Sequence, residues 1–202
     1  MILDNRYTTR LPLTVNSDQV TCRAHKLETC TTCDLDFSSL NQLSKNLKAI
    51  NGRIPASNAA NPNLSTQINR LKDEGNKNFH AQNYAEAIRL YSLAVDMAFQ
   101  RPVWESYIVA KEEISLCLCN RAAAYIANGA WVDAYVDTVA VVKIRREWSK
   151  GHFRMGKALV GLKRYDEAID AFNLGLELEP QSEEIRTALK DTETLISQLQ
   201  KD

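Results

Sequence analysis

Nowhere does the 202-residue sequence stay apolar for long. Val139–Val142 is one of its longest apolar runs, far short of the roughly 20 residues that cross a bilayer, so a direct membrane span is not expected. The amino-terminal Met1-Ile2-Leu3-Asp4-Asn5-Arg6 lacks the basic start and apolar stretch of a secretory signal, which points to a cytosolic address. A charge excess is missing too: 25 Lys and Arg balance 25 Asp and Glu. That balance argues against a nucleic-acid partner and leaves electrostatic recognition to local clusters. The cysteines, Cys22, Cys30, Cys33, Cys117 and Cys119, are odd in number, and the last two fall in a predicted helix. A disulfide scaffold is thereby disfavoured, and a reducing compartment fits better. Glycine-rich phosphate loops, nucleophile elbows and paired-histidine motifs are absent, and His25, His80 and His152 are scattered, so the chain is not read as an enzyme.

What is present is a repeat. Segments beginning at Ser115 and Ser149 align with an offset of 34 residues, and that period is the one of the tetratricopeptide helix–turn–helix unit. In the third unit Gly156, Leu159, Tyr165, Ala168, Phe172 and Pro180 occupy its small, large and helix-ending positions. The first unit carries Gly75, Phe79, Tyr84, Ala87, Tyr91 and Ala94 in the same order. The middle unit keeps Ala122, Tyr125, Trp131 and Ala134 but has Thr138, Val141 and Arg146 where an aromatic, an alanine and a proline are usual. Small residues let two helices approach while aromatic neighbours fill the adjoining holes. The sequence thus predicts an all-α fold of three tetratricopeptide repeats, at about 68–101, 115–148 and 149–182 within a domain spanning 64–202. Ile185, Leu189, Ile196 and Leu199, at helical spacing, predict a capping helix at about 183–200 that closes the solenoid.

Between units one and two the offset is 47, so about thirteen residues around Arg101-Pro102-Val103-Trp104-Glu105 are inserted. Pro102 is expected to open a fresh helix there and to lengthen the first helix of the second unit. The insertion reads either as a tolerated surface elaboration or as a contact element through Trp104 and Tyr107.

Residues 1–53 form a separate small irregular or β module, and 54–63, rich in proline and asparagine, form a linker. Leu13–Val15 and Gln19–Thr21 flank the polar turn Asn16-Ser17-Asp18 as a short hairpin, and Leu40–Ile50 is an amphipathic helix ended by Asn51-Gly52. Within this module Cys22-x-x-His25 and Cys30-x-x-Cys33 place four soft ligands in twelve residues, the spacing of a structural zinc site. A segment with few large apolar residues would gain from such a staple. Two readings stand: one structural zinc, or unliganded cysteines with His25 a bystander. Cys117 and Cys119 are expected to be packing residues.

The first helices of tetratricopeptide units line the concave face. Here they carry Lys72 and Asn76, four apart, then Asn120, then Lys150 and Arg154, four apart. Each pair shares one helix face. Three cations and two amides can fork around a terminal carboxylate and an adjacent aspartate. In the strings Leu71-Lys72-Asp73-Glu74-Gly75-Asn76, Cys119-Asn120-Arg121-Ala122 and Ser149-Lys150-Gly151-His152-Phe153-Arg154, the five positions resemble the carboxylate clamp of tetratricopeptide co-chaperones. Those proteins hold the Glu-Glu-Val-Asp tails of heat-shock chaperones. The resemblance implies that Lys72, Asn76 and Asn120 surround the terminal carboxylates, and that Lys150 and Arg154 hold the final acidic side chain and main chain.

The order of a small N-terminal module, the Arg101-Pro102-Val103-Trp104-Glu105 connection and a terminal capping helix is similar to the fungal tetratricopeptide subunit of the endoplasmic-reticulum post-translational translocation complex. So is the stretch Cys30-Thr31-Thr32-Cys33-Asp34-Leu35-Asp36-Phe37. That resemblance implies a non-enzymatic, peripheral docking subunit on the cytosolic face of the membrane. It would capture the tails of seventy-kilodalton heat-shock chaperones and be held by a membrane-anchored partner subunit through the N-terminal module. The competing readings are a soluble co-chaperone adaptor without a membrane partner and a zinc-containing protein-modification factor. The last is disfavoured because one four-ligand set is half of what a paired-site ligase domain needs.

Overall fold

The computed structural model describes residues 13–15, 19–49, 51–52, 60–102 and 104–199. It divides into two compact units, one of residues 1–57 with 102–104 and one of residues 58–101 with 105–202. The first holds two antiparallel strand pairs, β1 (Leu13–Val15) with β2 (Val20–Cys22) and β3 (Thr29–Cys30) with β4 (Leu35–Asp36), followed by helix α1 (Ser38–Ala49). The expected hairpin and helix are both present; the turn 16–18 and the greater part of the expected linker, 54–59, lie outside the described residues. One polar side chain pins α1 to β2. Asn41, fully buried, accepts from the Val20 amide at 2.7 Å and donates to the Val20 carbonyl at 2.9 Å.

The second unit is built from α2 (Pro62–His80), α3 (Tyr84–Phe99), α4 (Tyr107–Ala127), α5 (Trp131–Ile144), α6 (Ser149–Gly161), α7 (Tyr165–Leu178) and α8 (Glu183–Leu199). Each helix packs on the next, and α4 also touches both α2 and α6, which makes an inner layer of α2, α4 and α6. α2 begins six residues ahead of the expected repeat, because Asn61 caps it, its Oδ1 accepting from the Asn63 amide at 3.0 Å, with Pro62 at the first helical position. Every first helix then stops in the same way. Gln82, Gly129 and Lys163 have φ of 60°, 77° and 60°, and the next residue's amide reaches back to the carbonyl of Asn78, Tyr125 or Leu159 at 2.9 Å. A left-handed residue at this point satisfies the helix's last carbonyls and reverses the chain.

Close approach of paired helices decides the packing. A Cβ on Gly75 would lie 2.6 Å from the Tyr91 ring, and one on Gly156 would lie 2.4 Å from the Phe172 ring. The middle unit solves the same volume problem with other residues: Ala122 and Thr138, at the equivalent positions, are both fully buried. Its weak signature is thus an exchange of volume between facing positions, glycine with an aromatic ring replaced by alanine with threonine. The cap covers the last unit through Ile185 and Ala188, which join Phe153, Leu159 and Phe172 in one apolar cluster, with Leu189 packed against it. Leu199, expected in that seam, is 54% exposed, so the covering part of α8 is its first half.

The inserted segment departs from expectation in one respect. α4 is lengthened, to 21 residues, but it opens at Tyr107 and not at Pro102. The intervening chain is committed to a buried polar cluster. Arg101 donates to both carboxylate oxygens of Glu113 at 2.7 and 2.8 Å and to Ser65 Oγ at 2.6 Å, and it also pairs with Glu105. Its side chain is 3% exposed, so the pairing replaces solvent. A second cluster ties three helices: Arg121 donates to Asp137 at 2.8 and 2.7 Å and to Ser92 Oγ at 2.9 Å.

Two outcomes are expected in urea-denaturation measurements. Gly156→Ala gains about 1 kcal/mol of helix propensity, but overpacking against Phe172 costs about 1–3 kcal/mol, so net destabilisation follows; an unchanged or raised midpoint contradicts the close approach. Arg101→Met strands Glu113 without its buried partner and costs about 3–5 kcal/mol, whereas Arg89→Met at an exposed pair costs less than about 1 kcal/mol.

Candidate functional site: an amide-and-cation groove and a four-ligand knuckle

The five sequence-predicted groove residues sit on α2, α4 and α6, the three helices of the inner layer. The amides meet directly. Asn120 Nδ2 donates to Asn76 Oδ1 at 3.1 Å, and the Tyr91 hydroxyl donates to the same oxygen at 2.7 Å. With its carbonyl oxygen doubly occupied, Asn76 keeps its Nδ2 group as a donor for another acceptor. Burial pushes the Tyr91 hydroxyl up to about 12, so it remains a proton donor throughout the physiological range.

The cations arrive from either side. Lys72 is held by Asn69 Oδ1 at 2.9 Å, and its contact with Asp73 is a loose 3.7 Å. On α6, Lys150 and Arg154 both act electrostatically on the Cys119 thiol of α4, and Arg154 also acts on Tyr91. Burial raises the Cys119 thiol above its ordinary range, in spite of those cations. Among the described residues neither Lys150 nor Arg154 forms an ion pair, and Arg154 Nε is buried without a hydrogen-bond partner. An unpaired buried donor on a cation is costly. Two residues that the sequence did not single out for this groove do positioning work in it. Tyr91, read as a packing aromatic, also orients Asn76, and Asn69 steadies Lys72; the spacing of three between Asn69 and Lys72 is the only signal for the second.

In the N-terminal unit Cys22, His25, Cys30 and Cys33 bring one ligand atom each to within 4.8 Å of one another. Cys22 Sγ lies 3.5 Å from Cys33 Sγ, while His25 Nδ1 lies 3.3 Å from Cys30 Sγ and 3.4 Å from Cys33 Sγ. Edges of a tetrahedron with zinc–sulfur bonds of about 2.3 Å are about 3.8 Å, so these residues fit a zinc ion. The backbone is arranged for it. Cys22 and Cys30 end strands β2 and β3, and the residue after each second ligand, Lys26 or Asp34, turns the chain with φ of 57° or 52°. Hydrogen bonding from the His25 backbone lowers the Cys22 thiol to about 6, while the neighbouring Cys22 and Cys30 sulfurs push Cys33 up to about 11. One thiolate is favoured here and the next needs a countercharge. Cys117 and Cys119 are buried at 0% and 1% exposure in the helical core, the packing role expected of them.

Comparison with known proteins agrees with this architecture. The tetratricopeptide repeat family model matches residues 149–182. The ER protein translocation subcomplex subunit sec67 of Schizosaccharomyces pombe is 43% identical over 119 residues, which are 58% of this chain and 62% of that protein. The chain thus spans about three fifths of that relative's length. A chain in the cryo-EM structure of the Sec complex from S. cerevisiae superposes with a TM-score of 0.74, covering 93% of this chain and 98% of its own length at 21% identity, a likeness of fold. The first tetratricopeptide domain of Spaghetti (RPAP3), solved bound to the HSP90 peptide SRMEEVD, gives a TM-score of 0.55 at 27% identity, over 66% of this chain and 95% of that one. Eight helices in the described residues, three equivalent turns and these likenesses agree: the helical unit has the fold of a tetratricopeptide-repeat solenoid, and the chain is similar to the S. pombe ER protein translocation subcomplex subunit sec67.

Proposed function

We propose that this protein is a non-enzymatic docking subunit whose groove binds the acidic C-terminal tail of cytosolic heat-shock chaperones and brings them to post-translational translocation at the endoplasmic reticulum. The observation that carries the reading is the pairing of donors. Asn76 and Asn120 are fixed to each other, and Lys150 and Arg154 have no acidic partner among the described residues. A tail carboxylate supplies the missing negative charge, and its second oxygen reaches the free amide donor of Asn76. Lys72 adds a third cation at the α2 side. Support for the tail as ligand comes from the RPAP3 domain, whose structure contains a peptide ending in Glu-Glu-Val-Asp. Support for the translocation role comes from the likeness to sec67.

In this reading the N-terminal unit holds one structural zinc through Cys22, His25, Cys30 and Cys33 and is the surface for a membrane-anchored partner subunit. The zinc supplies the countercharge that lets the thiolates coexist and ties the β2 and β3 turns together. Among the described residues no helix is long and apolar enough to cross a membrane. A soluble co-chaperone adaptor is the rival reading. Fractionation of the tagged protein from cells with an intact translocation channel separates the two, since recovery wholly in the soluble fraction removes the docking assignment.

Calorimetric titration with a short peptide ending in Glu-Val-Asp checks the groove. Lys72→Ala and Arg154→Ala are each expected to weaken binding by about 2 kcal/mol or more with circular dichroism unchanged, and amidation of the peptide's C-terminus should abolish it. Equal affinity for both forms of the peptide would rule the groove out. For the knuckle, elemental mass spectrometry should find one zinc per purified chain, lost in Cys30→Ser; a chelator should then raise proteolysis of the N-terminal unit while the helical signal persists.

A further inference from the structure

The insertion lengthens α4, and one of its faces, through Val109, Glu112 and Glu113, lines a cavity with Lys72 and Asn69 of α2. Its first turns carry Tyr107, Ile108 and Lys111, and Lys111 lies nine residues before Asn120. At 3.6 residues per turn that is half a turn away, so Lys111 faces away from the carboxylate-binding side. It lines instead an open pocket of about 490 Å³ together with Lys143, Arg145, Arg146, Glu147 and Trp148 from the end of α5 and the turn into α6. Four cations and one acid in a chain of zero net charge make a local excess. Among the described residues none of the four cations has an ion-pair partner. Arg145 is stacked on the Trp148 ring at 4.3 Å, which keeps its guanidinium in place at the pocket.

The edge next to this pocket is apolar. Tyr107 and Ile108 are 70% and 68% exposed, and Lys111 reaches over the Tyr107 ring at 5.9 Å. The two features therefore form one surface at the tip of α4. Single exposed apolar residues are ordinary. Here an exposed aromatic–aliphatic pair at a helix tip adjoins four cations without ion-pair partners among the described residues, the composition of a bilayer-interface contact.

We infer that the tip of α4 and the α5–α6 turn form a direct contact site for an anionic lipid surface, with headgroup phosphates in the Lys111/Lys143/Arg145/Arg146 pocket and Tyr107 and Ile108 entering the headgroup boundary. The site is separate from the groove and independent of the proposed tail binding. An acidic peptide would satisfy the cations but leave Tyr107 and Ile108 in water, so the apolar pair selects the bilayer. The attraction is electrostatic at range and falls with salt, while apolar entry holds the contact once made.

Co-sedimentation of the full chain with phosphatidylcholine vesicles, with and without phosphatidylserine and phosphatidylinositol, tests this. Binding should appear only with the anionic lipids and diminish as salt rises. Lys143→Glu/Arg146→Glu, both at exposed positions, should lower it by more than about tenfold, and Tyr107→Ser/Ile108→Ser should also lower it. Both variants should bind the acidic tail peptide as the parent does, so that a failure here is distinct from a failure of the groove. Equal binding to neutral vesicles, or no binding to either kind, overturns the proposal. So does loss in the charge variant with none in Tyr107→Ser/Ile108→Ser, which would assign the pocket to a soluble acidic ligand.

Discussion

Glycine set beneath an aromatic ring is the contact on which the first and third repeats depend. Gly75 lets Tyr91 lie against α2, and Gly156 lets Phe172 lie against α6, at distances no side chain would permit. Tyr91 shows why this matters beyond stability. The ring fills the space left by Gly75, and its hydroxyl thereby reaches Asn76, one residue along α2. Core packing and the orientation of Asn76 use the same side chain. A shift of α3 that loosened the core would also release the amide that faces the groove.

The 34-residue period and the small and aromatic positions made the repeats readable, because they follow from one geometric need met in each unit. The i, i+4 spacing of Lys72 with Asn76 and of Lys150 with Arg154 gives each pair a shared helix face, and the structure places both pairs on helices of the inner layer. Two-residue spacers likewise announced the Cys22, His25, Cys30 and Cys33 cluster, whose ligand atoms do gather. What the sequence concealed were polar contacts between residues far apart in the chain. Ser65, Arg101 and Glu113 lie on separate elements, and no local pattern links them. Their cluster explains why Pro102 does not start α4. Asn41 was hidden in the same way, since a buried asparagine on an amphipathic helix looks like one more surface amide until its partners on β2 are seen.

Zero net charge conceals an uneven distribution. Lys150 and Arg154 lie on α6, Lys111, Lys143, Arg145 and Arg146 gather at the α4 tip, and Glu183, Glu184 and Asp191 share a pocket with Arg154 and Lys157. Among the described residues these three acids form no ion pair with Arg154 or Lys157. Arg154 thus has acids in its neighbourhood, whereas the α4-tip pocket holds four cations to one acid.

The three left-handed turns are not chemically equal. Gly129 accepts its conformation freely, but Gln82 and Lys163 adopt it with a Cβ, at a cost of roughly 1–2 kcal/mol each. The outer repeats therefore store tension that the central one does not. Glycine at either outer position would release some of it, so this solenoid sits below the stability its own architecture allows, and its ends rather than its middle are where that reserve is kept.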